Sequence, residues 1–482
     1  MTKSAGTGER SPLSGTRRLV AIASVLAAMA AAVLDAASVN VALPAISSAL
    51  REAPGRTIWI VIAYQAALVT GLLPAAALGE RFGYRSIFMA GLALFIVSAG
   101  FALFAPGLGF LIGARIAQGL GAAAIMALGI ALLRQTVRPC ELGSAIGWNA
   151  MTVAVFTAAG PAIGAGLLSL GEWRLLFAGT IPLGIVAILA SLALPRVAGA
   201  SPGLDRTGLM LFLAIVPAFV AAAAFSASGA VSIALAAIGF AIAFYLVRRD
   251  SRRASPFLPL DLIRNRSFAN AVAASICCFA GQGLGMIALP FVLHARFGAS
   301  VLETGVWLTP WPLAVLLTTP ITTRLLRRVP PSLLCAAGGV CLSAGLGGLA
   351  LLSADDGLWP HLLFIATGGI GFGLFQTPNN RNMFLAAPVE RSASAGGLQG
   401  TARLIGQTLG GLIAAFLMSL FPIADAIRAG FGLAALWTLA AGAISWNRRS
   451  GEDDATTPGA DLAADDVNVR FRHILRQEPP VS

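Results

Sequence analysis

Three ionisable side chains lie where a chain of this kind ordinarily keeps none. Of 21 acidic residues only Asp35 sits deep inside a long apolar run, and of 33 basic ones only Arg115 and Arg403 do. An ionisable group that deep in hydrocarbon costs energy, between about 2.5 and more than 10 kcal/mol depending on the scale, and normally faces a cavity or a partner. At a rise of about 1.5 Å per residue, Asp35 lies roughly 12 Å below Pro44, where its run ends. By the same rise, Arg115 lies about 9 Å below the start of the run 109–133. The two heights are similar, so the pair can meet. Hydrocarbon favours a neutral acid and a guanidinium favours the anion. Balanced against each other, these effects make Asp35 a candidate proton-exchange group. The competing reading is a permanent ion pair that locks two helices together.

Other residues carry weaker signals. Gln399, Arg403 and Gln407 share one helical face at i, i+4 and i+8. Arg403 would lie about 12 Å from the nearer end, where it either lines a cavity or snorkels to tie helices at a gate. Glu303, Trp307 and Trp311 also share a face. A carboxylate with two indoles suits a lipophilic cation, and an interfacial aromatic belt accounts for the same residues. Tyr64, Gln65, Trp148 and Asn149 are polar or amphipathic groups within apolar runs and are candidates to line a cavity. Cys140, Cys277, Cys278, Cys335 and Cys341 show no metal-site spacing, and His294, His361 and His473 are scattered. No metal or organic cofactor is expected. Gly281-x-Gly283-x-Gly285 lacks the strand and the Lys-Ser/Thr of a phosphate loop, and no nucleophile–base constellation points to an enzyme.

The elements that hold these residues follow from composition. The chain has 482 residues, 57% hydrophobic and 11% charged, where soluble proteins carry about 25% charged residues. Fourteen apolar segments recur, near 19–46, 57–78, 87–106, 109–133, 143–169, 175–195, 207–225, 229–247, 270–293, 304–323, 333–352, 359–378, 395–420 and 427–446. Each is long enough to cross about 30 Å of hydrocarbon as a helix, the form that satisfies its own backbone in lipid. The expected fold is therefore an all-α integral membrane protein with fourteen transmembrane helices. The first run follows Lys3, Arg10, Arg17 and Arg18 but is too long for a signal peptide. With the N-terminus in the cytoplasm, the inner loops carry seventeen arginines and the outer loops five, which places both termini inside. The net charge of +12 is thus topological and implies no nucleic-acid partner.

The expected organisation is a cytoplasmic tail (1–18), a six-helix bundle (19–198), an inserted helix pair (199–247), an Arg-rich cytoplasmic loop (248–269), a second six-helix bundle (270–446) and a disordered acidic tail (447–482). Glycines four apart, as at Gly160/Gly164 and Gly406/Gly410, let helices approach closely in lipid.

Several stretches resemble a known family. Leu34-Asp35-Ala36-Ala37-Ser38-Val39-Asn40-Val41-Ala42-Leu43-Pro44 is similar to the Leu-Asp-x-Thr-x-Val-Asn-Val-Ala-Leu-Pro signature of fourteen-helix drug:proton antiporters of the EmrB/QacA type, within the major facilitator superfamily. Here Ala37 stands for Thr. Gly79-Glu80-Arg81-Phe82-Gly83-Tyr84-Arg85 resembles the superfamily's Asp-Arg-x-Gly-Arg-Arg/Lys gate loop, with Glu80 for Asp and Tyr84 for Arg. Arg115-Ile116-Ala117-Gln118-Gly119-Leu120-Gly121-Ala122 resembles the family's Arg-x-x-Gln-Gly-x-Gly-Ala. Gly147 and Gly160-Pro161-x-x-Gly164 resemble the antiporter motif, with Phe156 where a glycine is usual.

The resemblance implies a major facilitator fold arranged six, two and six, with proton coupling at Asp35 and Arg115. It also implies a gate at Glu80, Arg81, Gly83 and Arg85, and Arg403 is added to that gate on the snorkelling reading. The function so implied is proton-driven export of amphipathic small molecules, cationic by the evidence of Asp35 and Glu303, across a bacterial inner membrane by alternating access. A proton-coupled metabolite or amino-acid permease on the same scaffold is the rival. The expected partners are the lipid bilayer, protons and the small-molecule cargo. The chain does not say whether a periplasmic adaptor joins them.

Overall fold

The structure is a computed structural model that describes residues 15–138, 141–197, 205–225, 228–253, 260–353, 356–386 and 392–447. The acidic tail expected at 447–482 lies outside the described residues apart from Asn447, as do Cys140 and residues 1–14.

The described residues are helical throughout, in chain order α1 (Gly15–Leu50), α2 (Pro54–Thr57), α3 (Trp59–Phe82), α4 (Tyr84–Leu103), α5 (Leu108–Thr136), α6 (Leu142–Leu168), α7 (Leu175–Ala190), α8 (Arg206–Ala224) and α9 (Gly229–Asp250). Then follow α10 (Leu260–Arg264), α11 (Arg266–Phe297), α12 (Val301–Leu308), α13 (Pro310–Leu325), α14 (Pro331–Leu351), α15 (Leu358–Leu385), α16 (Ser392–Leu420) and α17 (Ile423–Asn447). A 3₁₀ turn, Ser191–Ala193, extends α7. Residues 15–18, expected in the tail, already belong to α1.

Among the described residues, thirteen helices are long and apolar enough to cross a membrane. The segment 304–323, expected as one continuous helix, is divided between α12 and α13 at Thr309–Pro310. The cause is local. Pro310 lacks the N–H that would continue the ladder, and it starts α13 in the position where that loss costs nothing. Ser300 and Glu303 form a capping box that fixes the start of α12.

Helices α1 and α3–α7 pack chiefly on one another, as do α11 and α13–α17. Helices α8 and α9 pair with each other, and α8 also leans on α3. In α9 only 11% of the most apolar stretch is buried and in α8 22%, against 78% in α11, so the pair lies at the periphery of the helix packing. Asp205 anchors it. Its carboxylate caps α8 at the Gly208 N–H and takes both Arg249 Nη atoms at 2.6 and 2.8 Å, with Arg253 also at 2.8 Å. Those contacts hold the Asp205 carboxyl well below the usual carboxylate range, with the Arg249 hydrogen bonds the largest cause.

The core is shared at one end and divided at the other. Near α2 and α12, Val41, Leu43 and Ile46 of α1 join one cluster with Leu289, Phe291 and Leu293 of α11. Near the termini, Ala21, Val25, Phe88, Leu132 and Leu133 form one cluster, while Leu262, Phe268, Ala271, Met383 and Ala395 form another. The two helix sets are thus fastened at the α2/α12 end and mostly separately cored at the other, where Leu404 of α16 alone joins the cluster of the first set.

Candidate functional site: a buried ion pair between α1 and α5

Asp35 lies on α1 and Arg115 on α5, and each is 1% exposed. Arg115 Nη1 donates to Asp35 Oδ2 and also to Gln118 Oε1 at 2.7 Å. Gln118 Nε2 in turn donates to Asp35 Oδ1 at 2.9 Å, and Arg115 Nε reaches the Ile60 carbonyl of α3 at 3.4 Å. The guanidinium lies 4.1 Å from the Tyr64 ring centroid and 5.7 Å from that of Phe177. Three helices therefore contribute to one closed polar cluster inside apolar packing. A buried charge pair holds only when its remaining lone pairs and protons find partners. Here Gln118 supplies one donor and one acceptor to the pair.

The close approach of α1 has a reason in sequence. A Cβ added at Gly160 of α6 would strike the Ala37 Cβ, and one at Gly164 would lie 2.9 Å from the Ser38 Cβ. Ser38 Oγ donates to the Gly160 carbonyl at 3.1 Å. The small residue at 37 and the glycines at 160 and 164 are one fitted seam, which leaves the opposite face of α1 to carry Asp35 toward α5. On α5, a Cβ at Gly119 would collide with the Tyr64 carbonyl, so Gly119 sets how near α5 sits to α3. Gly147 falls within α6, and its surroundings lie outside the described residues.

The depth arithmetic places Asp35 and Arg115 at one level, and the structure brings them together. Gln118 received no role from sequence, although its spacing of i+3 from Arg115 put it on the same face. Tyr64, expected in a cavity wall, instead lies buried under the Arg115 guanidinium with its hydroxyl donating to the Ala32 carbonyl at 3.3 Å. Its neighbour Gln65 is half-buried, and its Oε1 is buried without a partner. Asn149 is 8% exposed with an unpartnered Oδ1, and Trp148 is exposed.

The Glu303–Trp307–Trp311 face does not form. The helix divides between the two tryptophans, and Glu303 is an exposed capping group that takes the Ser300 N–H at 2.8 Å and the Ser300 hydroxyl at 2.7 Å. The pattern Ser300-x-x-Glu303 is that of a capping box, so this acid is already spent on local structure. Trp307 packs edge-on against Phe297, and Trp311 is buried beside Gly368, Gly369 and Phe372.

In the gate loop, Gly83 has φ of +92°, a backbone region that favours glycine, between α3 and α4. Arg85 is buried and donates to the Leu194 carbonyl at 3.1 Å, tying α4 to the end of α7. Glu80 is exposed, and Arg81 lies over Phe82 at 5.3 Å. Among the described residues no ion pair joins Glu80 to Arg403. Arg403 instead stands 5.6 Å from the Phe279 ring of α11.

A multi-pass helical membrane protein of two packed helix sets, with a buried polar cluster inside one of them, has the architecture of a secondary transporter. The Major Facilitator Superfamily model matches residues 20–411, and the chain belongs to that family. It is similar to the uncharacterized transporter YebQ of Escherichia coli (strain K12), at 39% identity over 84% of this chain and 90% of that one. It is also similar to the riboflavin transporter RibZ of Clostridioides difficile (strain 630), at 27% over 80% of this chain and 85% of that one. A third relative is the tetracenomycin C resistance and export protein of Streptomyces glaucescens, at 30% over 80% of this chain and 73% of that one.

Proposed function

We propose that the protein is a proton-driven antiporter that exports amphipathic small molecules across a bacterial inner membrane by alternating access. In this reading both termini are cytoplasmic. Fourteen passages form two six-helix bundles with α8–α9 inserted between them, and α12–α13 together make one passage. The observation that carries it is the cluster of Asp35, Arg115 and Gln118. Asp35 is the one acid in the interior of a described candidate span, and both its oxygens are occupied.

That occupancy has a mechanical consequence. A proton arriving at Asp35 removes the negative charge that holds Arg115, and weakening of that pair loosens α1 from α5. Helix α1 also packs on α6 and α11, so the change reaches the seam that fastens the two helix sets. With the α2/α12 end open, protonation from outside releases cargo. With the terminal end open, deprotonation toward the cytoplasm reforms the ion pair seen here and resets cargo binding. Arg115 supplies the charge that makes the deprotonated state compact, and Tyr64 holds its guanidinium in place through cation–π attraction.

The export assignment is supported by the similarity to the tetracenomycin C export protein, and the permease alternative by the similarity to RibZ. A dye-efflux assay in everted vesicles tests both the direction and the coupling. Proton-driven accumulation by wild type, lost in Asp35→Asn, is expected. Transport that ignores the proton gradient, or cargo that leaves the everted vesicles together with the protons, overturns the reading.

A further inference from the structure

The two deep arginines are in opposite situations. Arg115 is neutralised by Asp35 and also donates to Gln118 and the Ile60 carbonyl. Arg403, on α16, forms no ion pair and donates no hydrogen bond among the described residues, and its Nε is buried without a partner. Its contact is the face of Phe279, itself 2% exposed. A guanidinium has five N–H donors and no acceptor. To leave it unpaired at that depth is costly, and nothing on α11 or α15 answers it. The acids that sequence suggested for a cationic cargo are both engaged, Asp35 by Arg115 and Glu303 by the Ser300 cap.

Arg403 is not alone. One turn further along α16, Gln407 donates to Gln282 of α11 across a long 3.5 Å. Helices α3 and α16 run antiparallel: Gly55 lies at Ala415 and Met418, and Ile62 lies at Gly411. The next turn of that register sets Gln65, with its unpartnered buried Oε1, beside Gln407. The line from Gln65 through Gln407 to Arg403 crosses from one helix set to the other, where the shared core gives way to separate ones. It offers amide groups, unused guanidinium donors and an aromatic face.

We infer that Arg403 is a cargo-binding residue and that the cargo is an amphipathic organic oxyanion, such as an aromatic carboxylate or phenolate, rather than a cation. The inference rests on the transport reading above and gives it a charge sign. It also sets the energetics. At one proton per cargo, an anion leaving as a proton enters moves two positive charges inward, and an interior-negative potential drives both. A monocation exchanged for one proton moves none.

Fluorescein and rhodamine 123 share one ring frame with opposite charge and make a matched pair of probes. Polarisation with purified full-length protein is expected to show tighter binding of fluorescein. Arg403→Gln should weaken it at least tenfold, Arg403→Lys should retain most of it, and rhodamine 123 should be indifferent to both. Arg403→Gln should melt at or above the wild-type temperature, because it removes an unpaired charge; a structural latch would melt lower. Proteoliposomes with a potassium-diffusion potential should move fluorescein faster as the interior becomes more negative. Tighter binding of rhodamine 123, no binding of fluorescein, or fluorescein binding that survives Arg403→Gln overturns the inference. Asp35→Asn keeps the two readings apart. If it stops uphill movement while the preference is for rhodamine 123, the charge assignment fails and proton coupling stands. If fluorescein binds through Arg403 but no gradient moves it, the reverse holds.

Discussion

Gln118 makes Asp35 and Arg115 compatible with a dry interior. It donates to one carboxylate oxygen and accepts from the guanidinium that holds the other, so its loss leaves two buried groups short of a partner. Gln118→Leu keeps the volume and removes both bonds. An unsatisfied buried polar group costs about 1–3 kcal/mol, so this variant should unfold at a lower temperature in detergent and transport more slowly, even with Asp35 and Arg115 intact. Arg115→Lys should also fail. A lysine keeps the charge but presents one compact ammonium in place of a planar fork, and it cannot serve Asp35, Gln118 and the Ile60 carbonyl together while lying flat on Tyr64. Its transport should fall close to that of Asp35→Asn, measured in the same vesicles.

At the scale of elements, the α1–α6 seam and the α8–α9 anchor behave differently. The seam is steric. Gly164→Leu drives a branched side chain into Ser38, and overpacking of this kind costs typically 1–3 kcal/mol. The expected result is lower yield of folded protein and loss of transport, because α1 can no longer sit between α5 and α6. The anchor is electrostatic. Asp205 is held well below the usual carboxylate range by Arg249. A depressed carboxylate contributes stability that is complete above its unfolded value near pH 4 and is lost as pH falls through the folded one. Between pH 7 and 5 the α8–α9 attachment should therefore be insensitive to acid, and hydrogen exchange at the start of α8 should rise only below about pH 4. Asp205→Ala removes cap and ion pair at once and should raise that exchange at every pH.

Sequence and structure agree where the information is one-dimensional and separate where it is lateral. Depth counted along two runs places Asp35 level with Arg115, because the rise per residue is fixed. Facing is not fixed in the same way, since a helix that is apolar all round gives no periodic signal of orientation. So Tyr64 and Gln65, adjacent in sequence, could not be told apart, although one lies under Arg115 and the other keeps an unpartnered oxygen. The division at Thr309–Pro310 was legible in part. Ser300-x-x-Glu303 is a local start signal and Pro310 a local restart, and both were outweighed by the unbroken apolar count from 304 to 323.

For the whole molecule, the arrangement of cores defines a conformation that is fastened at α2 and α12. A Cβ at Gly55 would lie 3.4 Å from the Met418 Cβ, close to the roughly 3.5–4.5 Å of a disulfide. The double variant Gly55→Cys/Met418→Cys should cross-link on oxidation, trap the closed end and stop transport, with recovery on reduction. Cross-linking that leaves transport running would show that this end does not need to part. The gate loop fits the same conformation. Arg85 serves its own helix set through the Leu194 carbonyl, and among the described residues no ion pair joins Glu80 to Arg403.

The central claim is that Asp35 gives up and regains a proton as the two helix sets alternate. It is tested most directly by reconstituting wild type and Asp35→Asn side by side and measuring two fluxes of the same cargo: uphill movement under an imposed pH gradient, and exchange without any gradient. The account predicts that Asp35→Asn loses the first and keeps the second. Uphill movement that persists at wild-type rate with the neutral side chain would contradict it.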